Sequence, residues 1–282
     1  MSQGRYISVD GISTHYLEAG DGNRGVRPTI VLLHSAEFGG AAEITWEQNI
    51  DVLAQRYHVL APDHLGFGRT EKIFDFGNQF ERRIRHIRRF IETMDVGAVH
   101  VMGSSMSGGL TLTVAARAKP DWPLRSVVCC SGGGDSPDNE ARKVLNSYDG
   151  TKEHMQRIVD TMFVDKSWAA NVAYIDRRWE LANLPGAWEA TAAARFKAPF
   201  RVASGARVER DNIAYANIAV PTLVFAGRFD PLRAPGYTDG FVPHIPKAEL
   251  HVFETAGHMG NIECASEFNT RVMAFLTKVD GA

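Results

Sequence analysis

Short runs of β-branched and apolar residues recur along the chain, and helical patterns fill several of the gaps between them. The runs are Thr29–Leu33, Tyr57–Ala61, Ala98–Met102, Ser126–Cys130, Pro221–Phe225 and Glu249–Phe253. Most are apolar almost throughout, as strands covered on both faces must be. Phe80, Ile84, Ile87, Ile91 and Met94 keep helical spacing, as do Leu110, Val114 and Ala118, and again Phe268, Val272 and Phe275. Strand alternating with helix predicts an α/β fold with a doubly wound, mostly parallel sheet. Tyr6–Asp10 and Ser13–Leu17, around Asp10-Gly11, predict an antiparallel hairpin at one edge.

From Gly133 to Asn217 the strand rhythm stops, and helix-like segments such as Thr151–Phe163 and Ser167–Leu181 take over, with Trp168, Trp179 and Trp188 nearby. This predicts a helical lid, residues 133–217, inserted into a core made of residues 1–132 and 218–282. Ligands of open α/β sheets bind beyond the carboxyl ends of the strands, where such a lid would enclose a pocket.

Composition removes several function classes. With 31 Lys+Arg against 33 Asp+Glu, the chain has no dominant basic footprint for nucleic acid. Arg82, Arg83, Arg85, Arg88 and Arg89 flank the apolar stripe of one helix and read as its solvated face. No apolar run approaches the roughly 18 residues of a membrane span, and the first residues lack a basic-then-apolar secretory pattern. Cys129, Cys130 and Cys264 suit buried thiols in a reducing compartment, so a cytoplasmic protein is expected. No His/Cys/carboxylate cluster has metal-ligand spacing, so neither metal nor cofactor is expected. Ser131-Gly-Gly-Gly134 lacks the Lys-Ser/Thr of a phosphate loop and reads as a hinge into the lid. Asp63 reads as a turn anchor.

The chemistry concentrates at strand ends. Gly103-Ser104-Ser105-Met106-Ser107-Gly108 follows an apolar strand and opens a helix. A nucleophile on so sharp a turn needs small residues two before and two after it, which Gly103 and Ser107 supply around Ser105. A serine hydroxyl needs a base. His15, His58, His100 and His251 lie inside strands and read as structural. His258, in Thr255-Ala-Gly-His-Met-Gly260 just after the last strand, is the expected base. Asp230, in Ala226-Gly-Arg-Phe-Asp-Pro231, is the expected orienting acid. Its order, Ser105…Asp230…His258, is that of α/β-hydrolase triads. The amide of Met106, at a helix start, is an expected oxyanion donor.

Over nearly its whole length the chain resembles the α/β-hydrolase superfamily, and within it the meta-cleavage-product hydrolases that cut carbon–carbon bonds in ring-opened aromatic catabolites. Leu33–Gly40 with Asn49-Ile50 is similar to that family's oxyanion loop, Gly103–Gly108 to its nucleophile elbow, Ala226–Asp230 and Gly257-His258 to its acid and base segments, with Glu263 and Phe268-Asn269 continuing the likeness. Arg178–Gly186 is similar to its lid segment, whose arginine contacts the substrate carboxylate. The resemblance implies Ala36 as the second oxyanion donor and Arg178, Ser104, Asn49, Phe38, Trp179 and Met259 as substrate contacts. Departures stand at Ser35 for Gly, Phe38 for Pro, Ser104 for Asn and Met259 for Trp, and Ser107 stands where the elbow usually has Gly.

The implied activity is cleavage of a vinylogous 1,5-diketone acid, with the dienol ketonised first. A carboxylesterase or lactonase on the same triad is the alternative, and a non-catalytic receptor on this fold a third. Expected partners are a carboxylate-bearing small molecule and, in a homodimer, a second copy of the chain; neither nucleic acid nor membrane is expected.

Overall fold

The computed structural model describes residues 2–193, 195 and 212–281. Its strands are β1 (Gln3–Val9), β2 (Ile12–Ala19), β3 (Thr29–Leu33), β4 (Val59–Pro62), β5 (Val99–Ser104), β6 (Leu124–Cys130), β7 (Thr222–Gly227) and β8 (Ala248–Phe253). They form one sheet in the order β1-β2-β4-β3-β5-β6-β7-β8. From β4 across to β8 neighbouring strands run parallel. The β1–β2 hairpin lies antiparallel at one edge, as its Asp10-Gly11 turn predicts.

The apolar runs become strands because both faces are covered. In β3, Ile30 and Leu32 pack with Trp46, Phe268 and Val272 on one side. Val31 and Leu33 pack on the other against Ile84, Ile87 and Phe90 of helix Gln79–Met94 and Leu110 of helix Met106–Ala115. Every residue of β3, β5 and β7 is buried, whereas β1 is mostly exposed. Asn78 caps the first of these helices by accepting the Glu81 amide, and Asp95 ends it at a φ of 50°.

Two details of the helical stripes differ from expectation. Phe80 is exposed and lies in the wall of a cavity rather than in the core. Arg83 is buried rather than solvated: its guanidinium stacks 5.2 Å from the centre of the Phe67 ring and donates to Gln79 Oε1 at 2.9 Å. The helix after the elbow stops at Ala115, so Ala118 lies beyond it.

Between β6 and β7 the described residues form helices α5 (Glu140–Asn146), α6 (Lys152–Met162), α7 (Ser167–Ala170), α8 (Val172–Ala182) and α9 (Ala187–Ala193), where α1–α4 are Ala42–Thr45, Ile50–Leu53, Gln79–Met94 and Met106–Ala115. The expected Ser167–Leu181 helix is broken because the Asn171 side chain accepts the Tyr174 amide and starts a new helix. Residues 194 and 196–211 of the expected lid lie outside the described residues. A second apolar cluster, including Met155, Ile158, Met162, Tyr174 and Ile175, joins the insertion to Phe38 and Met259 of the core loops. Among the described residues no helix is long and apolar enough to cross a membrane, and no group of three or more His, Cys, Asp or Glu could hold a metal. Cys129 and Cys130 are buried free thiols on β6.

Candidate active site

Ser105 stands between β5 and α4 with φ 55° and ψ −115°, a backbone conformation a side chain rarely adopts and that persists where neighbours impose it. Its amide donates to the Cys130 carbonyl at 2.7 Å. The turn is tight enough that a Cβ at Gly103 would lie 2.2 Å from the Ser107 carbonyl oxygen, and one at Gly108 would lie 2.9 Å from Cys129 Sγ. Ser107 is accommodated because its side chain has somewhere to go. Its hydroxyl donates to the His34 carbonyl at 2.5 Å and lies 2.8 Å from His64 Nε2.

The loops after β7 and β8 bring the other two groups to Ser105. His258 Nε2 is 2.8 Å from Ser105 Oγ, and its Nδ1 is 2.7 Å from Asp230 Oδ2. The second Asp230 oxygen accepts the Leu232 amide at 2.9 Å, which fixes the carboxylate plane. Nδ1 can only donate to a carboxylate, so Nε2 faces the hydroxyl with a lone pair. Small residues permit the approach: a Cβ on Gly227 would lie 1.9 Å from the Gly257 carbonyl oxygen. Glu263 holds the base loop to the insertion, accepting the Gly257 amide at 2.7 Å and the Val164 and Asp165 amides at 2.7 and 3.0 Å. Burial raises its pKa against those three bonds. The strand histidines bond elsewhere, His15 to Asp63, His58 to Glu18, His100 to Ser126 and His251 to Glu267. Asp63 also accepts the Ala42 and Arg69 amides at 2.8 and 2.9 Å, anchoring that turn.

The loop after β3 faces the elbow. His34 Nδ1 donates to the Ser35 carbonyl at 2.6 Å, and its Nε2 accepts the His64 amide at 2.9 Å. Burial lowers the pKa of both His34 and His64, so both rings are neutral. The His34–His64–Ser107 network therefore ties the loop carrying Ala36 to the helix carrying Met106. Nothing in the local sequence signals it, since His64 lies 43 residues from Ser107. Among the described residues, the amides of Ala36 and Met106 have no acceptor, as a helix's first amide usually has none.

A cavity of about 640 Å³ opens over these groups, with Ser105, Met106, Ala36 and His258 in its wall. Glu37, Arg142, Arg195 and Arg233 supply its other charged groups. The expected substrate contacts sit elsewhere. Arg178 is fully buried and absent from the cavity wall; its Nη2 donates to Glu37 Oε1 at 2.9 Å and its Nη1 to the Tyr174 hydroxyl at 3.3 Å. A guanidinium on the inner face of α8 needs a counter-charge, and Glu37 is that charge. Burial alone would raise the Glu37 pKa, but the Arg178 charge and a 2.8 Å bond from Ser35 outweigh it and keep the carboxyl ionised. Neighbouring Arg177 points outward to Glu47 at 2.6 Å.

The remaining five are likewise absent from the cavity wall. Asn49 donates to the Asn261 carbonyl and to Asn269 Oδ1, both at 3.0 Å, bracing the C-terminal helices. Ser104 is buried at the end of β5, its hydroxyl without a partner among the described residues. Phe38 and Met259 are packed in the insertion's apolar cluster. Trp179 donates to the Gly150 carbonyl at 2.8 Å under the Lys152 ammonium, 4.8 Å from its ring centre. Their positions follow from long-range packing that the local motifs do not contain.

A doubly wound sheet bearing a serine–histidine–carboxylate chain at the carboxyl ends of its strands defines an enzyme class, the hydrolases of the α/β fold. The chain belongs to the alpha/beta hydrolase fold family, whose model matches residues 28–265. It is 29% identical to the 2-hydroxy-6-oxo-6-(2'-aminophenyl)hexa-2,4-dienoic acid hydrolase of Metapseudomonas resinovorans, covering 97% of this chain and 91% of that one. It is 28% identical to the 2-hydroxymuconate semialdehyde hydrolase of Pseudomonas sp. strain CF600, over 99% and 95% of the two chains. Among solved structures, the meta-cleavage product hydrolase of Pseudomonas fluorescens IP01 in complex with acetates is similar at a TM-score of 0.85 and 25% identity, with 98% of each chain covered.

Proposed function

We propose that this hydrolase cleaves a carbon–carbon bond in a carboxylate-bearing ring-fission dienoate, with Ser105, His258 and Asp230 as its catalytic triad. The hydrogen-bonded chain from Ser105 Oγ to Asp230 at the cavity wall carries the reading. The full-length likeness to dienoate hydrolases supports the substrate class. The dienol is first ketonised, so that the carbon to be expelled gains a conjugated carbonyl as electron sink. His258 Nε2 takes the Ser105 proton as Oγ adds to the distal carbonyl carbon. The carbonyl π electrons move to oxygen, and the amides of Met106 and Ala36 hold that oxyanion. Its collapse breaks the carbon–carbon bond and leaves an acyl-enzyme; the departing carbanion takes a proton from the imidazolium. Water, deprotonated by His258, then frees Ser105. The insertion serves as the lid, for it contributes Arg142, Leu145 and Asn146 to the cavity wall.

A carboxylesterase or lactonase is the second reading, favoured by one observation: Glu37 already occupies the guanidinium of Arg178. The test is kcat/KM for purified enzyme against a panel of ring-fission dienoates and neutral aryl esters. Dienoates ahead by about 100-fold or more would bear out the first reading. Aryl esters or lactones ahead by that margin would hand the assignment to the second.

A further inference from the structure

We propose that Arg195, rather than Arg178, reads the substrate's carboxylate in the catalytic cavity, an inference that rests on the acid-substrate reading above. Among the described residues the cavity wall carries one carboxylate outside the Ser105–His258–Asp230 chain, Glu37, and three guanidiniums. Glu37 is neutralised from behind by Arg178. The three guanidiniums are engaged differently. Arg233 donates to the backbone carbonyls of Ser131 and Gly133 at 2.7 to 3.1 Å, closing the hinge after β6. Arg142 holds the entry to α5, donating to the carbonyls of Pro137 and Leu232, both at 3.2 Å.

Arg195 has only neutral hydrogen-bond acceptors among the described residues. Its Nε donates to Asn146 Oδ1 at 3.0 Å, Nη1 to the Thr191 carbonyl at 2.6 Å, and Nη2 to the Ala36 carbonyl at 3.3 Å. Its guanidinium lies 4.8 Å from the centre of the Phe38 ring. A guanidinium has five N–H groups, so these bonds leave one on each terminal nitrogen. Two such donors suit the paired oxygens of a carboxylate. Burial lowers the Arg195 pKa to about 10, against the pull of Glu37, so the group is still a cation at neutral pH. A cation in the wall of the Ser105 cavity, with no anion paired to it among the described residues, is a subsite for an anionic ligand group. Its bond to the Ala36 carbonyl also couples the subsite to the loop expected to hold the oxyanion.

The experiment compares a ring-fission dienoate with its primary carboxamide, which keeps the same scissile bond and removes the charge. Wild-type enzyme should prefer the acid. Arg195→Gln retains donors for Asn146 or Ala36 without the charge, and should lose about 30-fold more kcat/KM on the acid than on the amide, mainly through KM. Arg195→Lys should recover part of that difference. Equal losses on acid and amide would overturn the proposal, leaving Arg195 a support for the Ala36 loop. A larger acid-specific loss in Arg178→Met than in Arg195→Gln would overturn it in favour of Arg178. Wild-type enzyme that handles acid and amide equally would instead bring down the acid-substrate reading itself. Thermal unfolding of each variant separates these outcomes from misfolding, and competitive inhibition of aryl-ester turnover by the same dienoate gives a second readout on wild type. That inhibition should weaken about 30-fold in Arg195→Gln and by less in Arg195→Lys; unchanged inhibition in Arg195→Gln would also overturn the proposal.

Discussion

Two serine–histidine pairs lie on either side of the same elbow, each with a hydroxyl oxygen 2.8 Å from an imidazole Nε2. Ser105 faces the cavity, and its histidine has a carboxylate 2.7 Å from Nδ1. Ser107 is buried, and its proton is already given to the His34 carbonyl. His64 must therefore donate to Ser107 from Nε2, which leaves Nδ1 as a buried acceptor without a partner among the described residues. The same distance thus describes an imidazole whose Nε2 is free to accept a proton and one, acting as a strut, whose Nε2 already donates. The third group on the far nitrogen, and access to the cavity, make the difference.

That comparison can be broken most directly at the two serines. Ser105→Ala and His258→Ala should each lower turnover by about 10⁴-fold or more, the scale of triad removals. Ser107→Ala should cost about tenfold or less, measured as kcat on the same substrate. Comparable losses at both serines would erase the distinction. Asp230→Asn tests the third group alone; about 10⁴-fold is expected in kcat with the fold intact, because the amide favours the wrong imidazole tautomer.

The loop between the pairs offers the next effect. Glu37→Gln leaves the Arg178 cation buried and unpaired, and should destabilise the protein by about 3–5 kcal/mol in chemical denaturation. Glu37→Gln combined with Arg178→Met should recover most of that loss, since replacing both partners removes the stranded charge. No recovery in the double variant would mean that the pair does more than balance charge. On the strut itself, Ser107→Ala removes an acceptor from His64 and a donor from His34, at about 1–3 kcal/mol of stability.

The smallest effect is a slope with pH. Burial lowers the pKa of His34, His64, His86 and His100, the last two to about 4. Each stays neutral in the folded chain while the unfolded chain takes up a proton near pH 6.5. The unfolded state then binds more protons as pH falls, so stability is full above about 6.5 and declines below it. Each histidine contributes about 1.4 kcal/mol per pH unit, fully developed about a unit below 6.5 and continuing toward about 4 for His86 and His100. Unfolding free energies at pH 7.5, 6.5 and 5.5 check the sign. Stability unchanged on acidification would show that the strut histidines are charged in the fold.

The sequence by itself determined the sheet, its edge hairpin and the Ser105, Asp230 and His258 positions, because each depends on local rules. Apolar runs must be covered, a tight turn needs small flanking residues such as Gly103 and Gly108, and strand ends carry the reacting groups. Met106, which the elbow motif sets at a helix start, and Ala36, which only the family resemblance of its loop implied, both line the cavity. Only the tertiary structure decided the charges around them. Arg178 looked free from its helix alone, but the residue that neutralises it, Glu37, is 141 positions away. Arg195 had no motif to announce it; the cavity selects it through contacts with Ala36, Asn146 and Phe38. Electrostatic pairing acts through space between segments distant in the chain, so a local pattern can say where a nucleophile stands but not which cation is left over to meet a substrate.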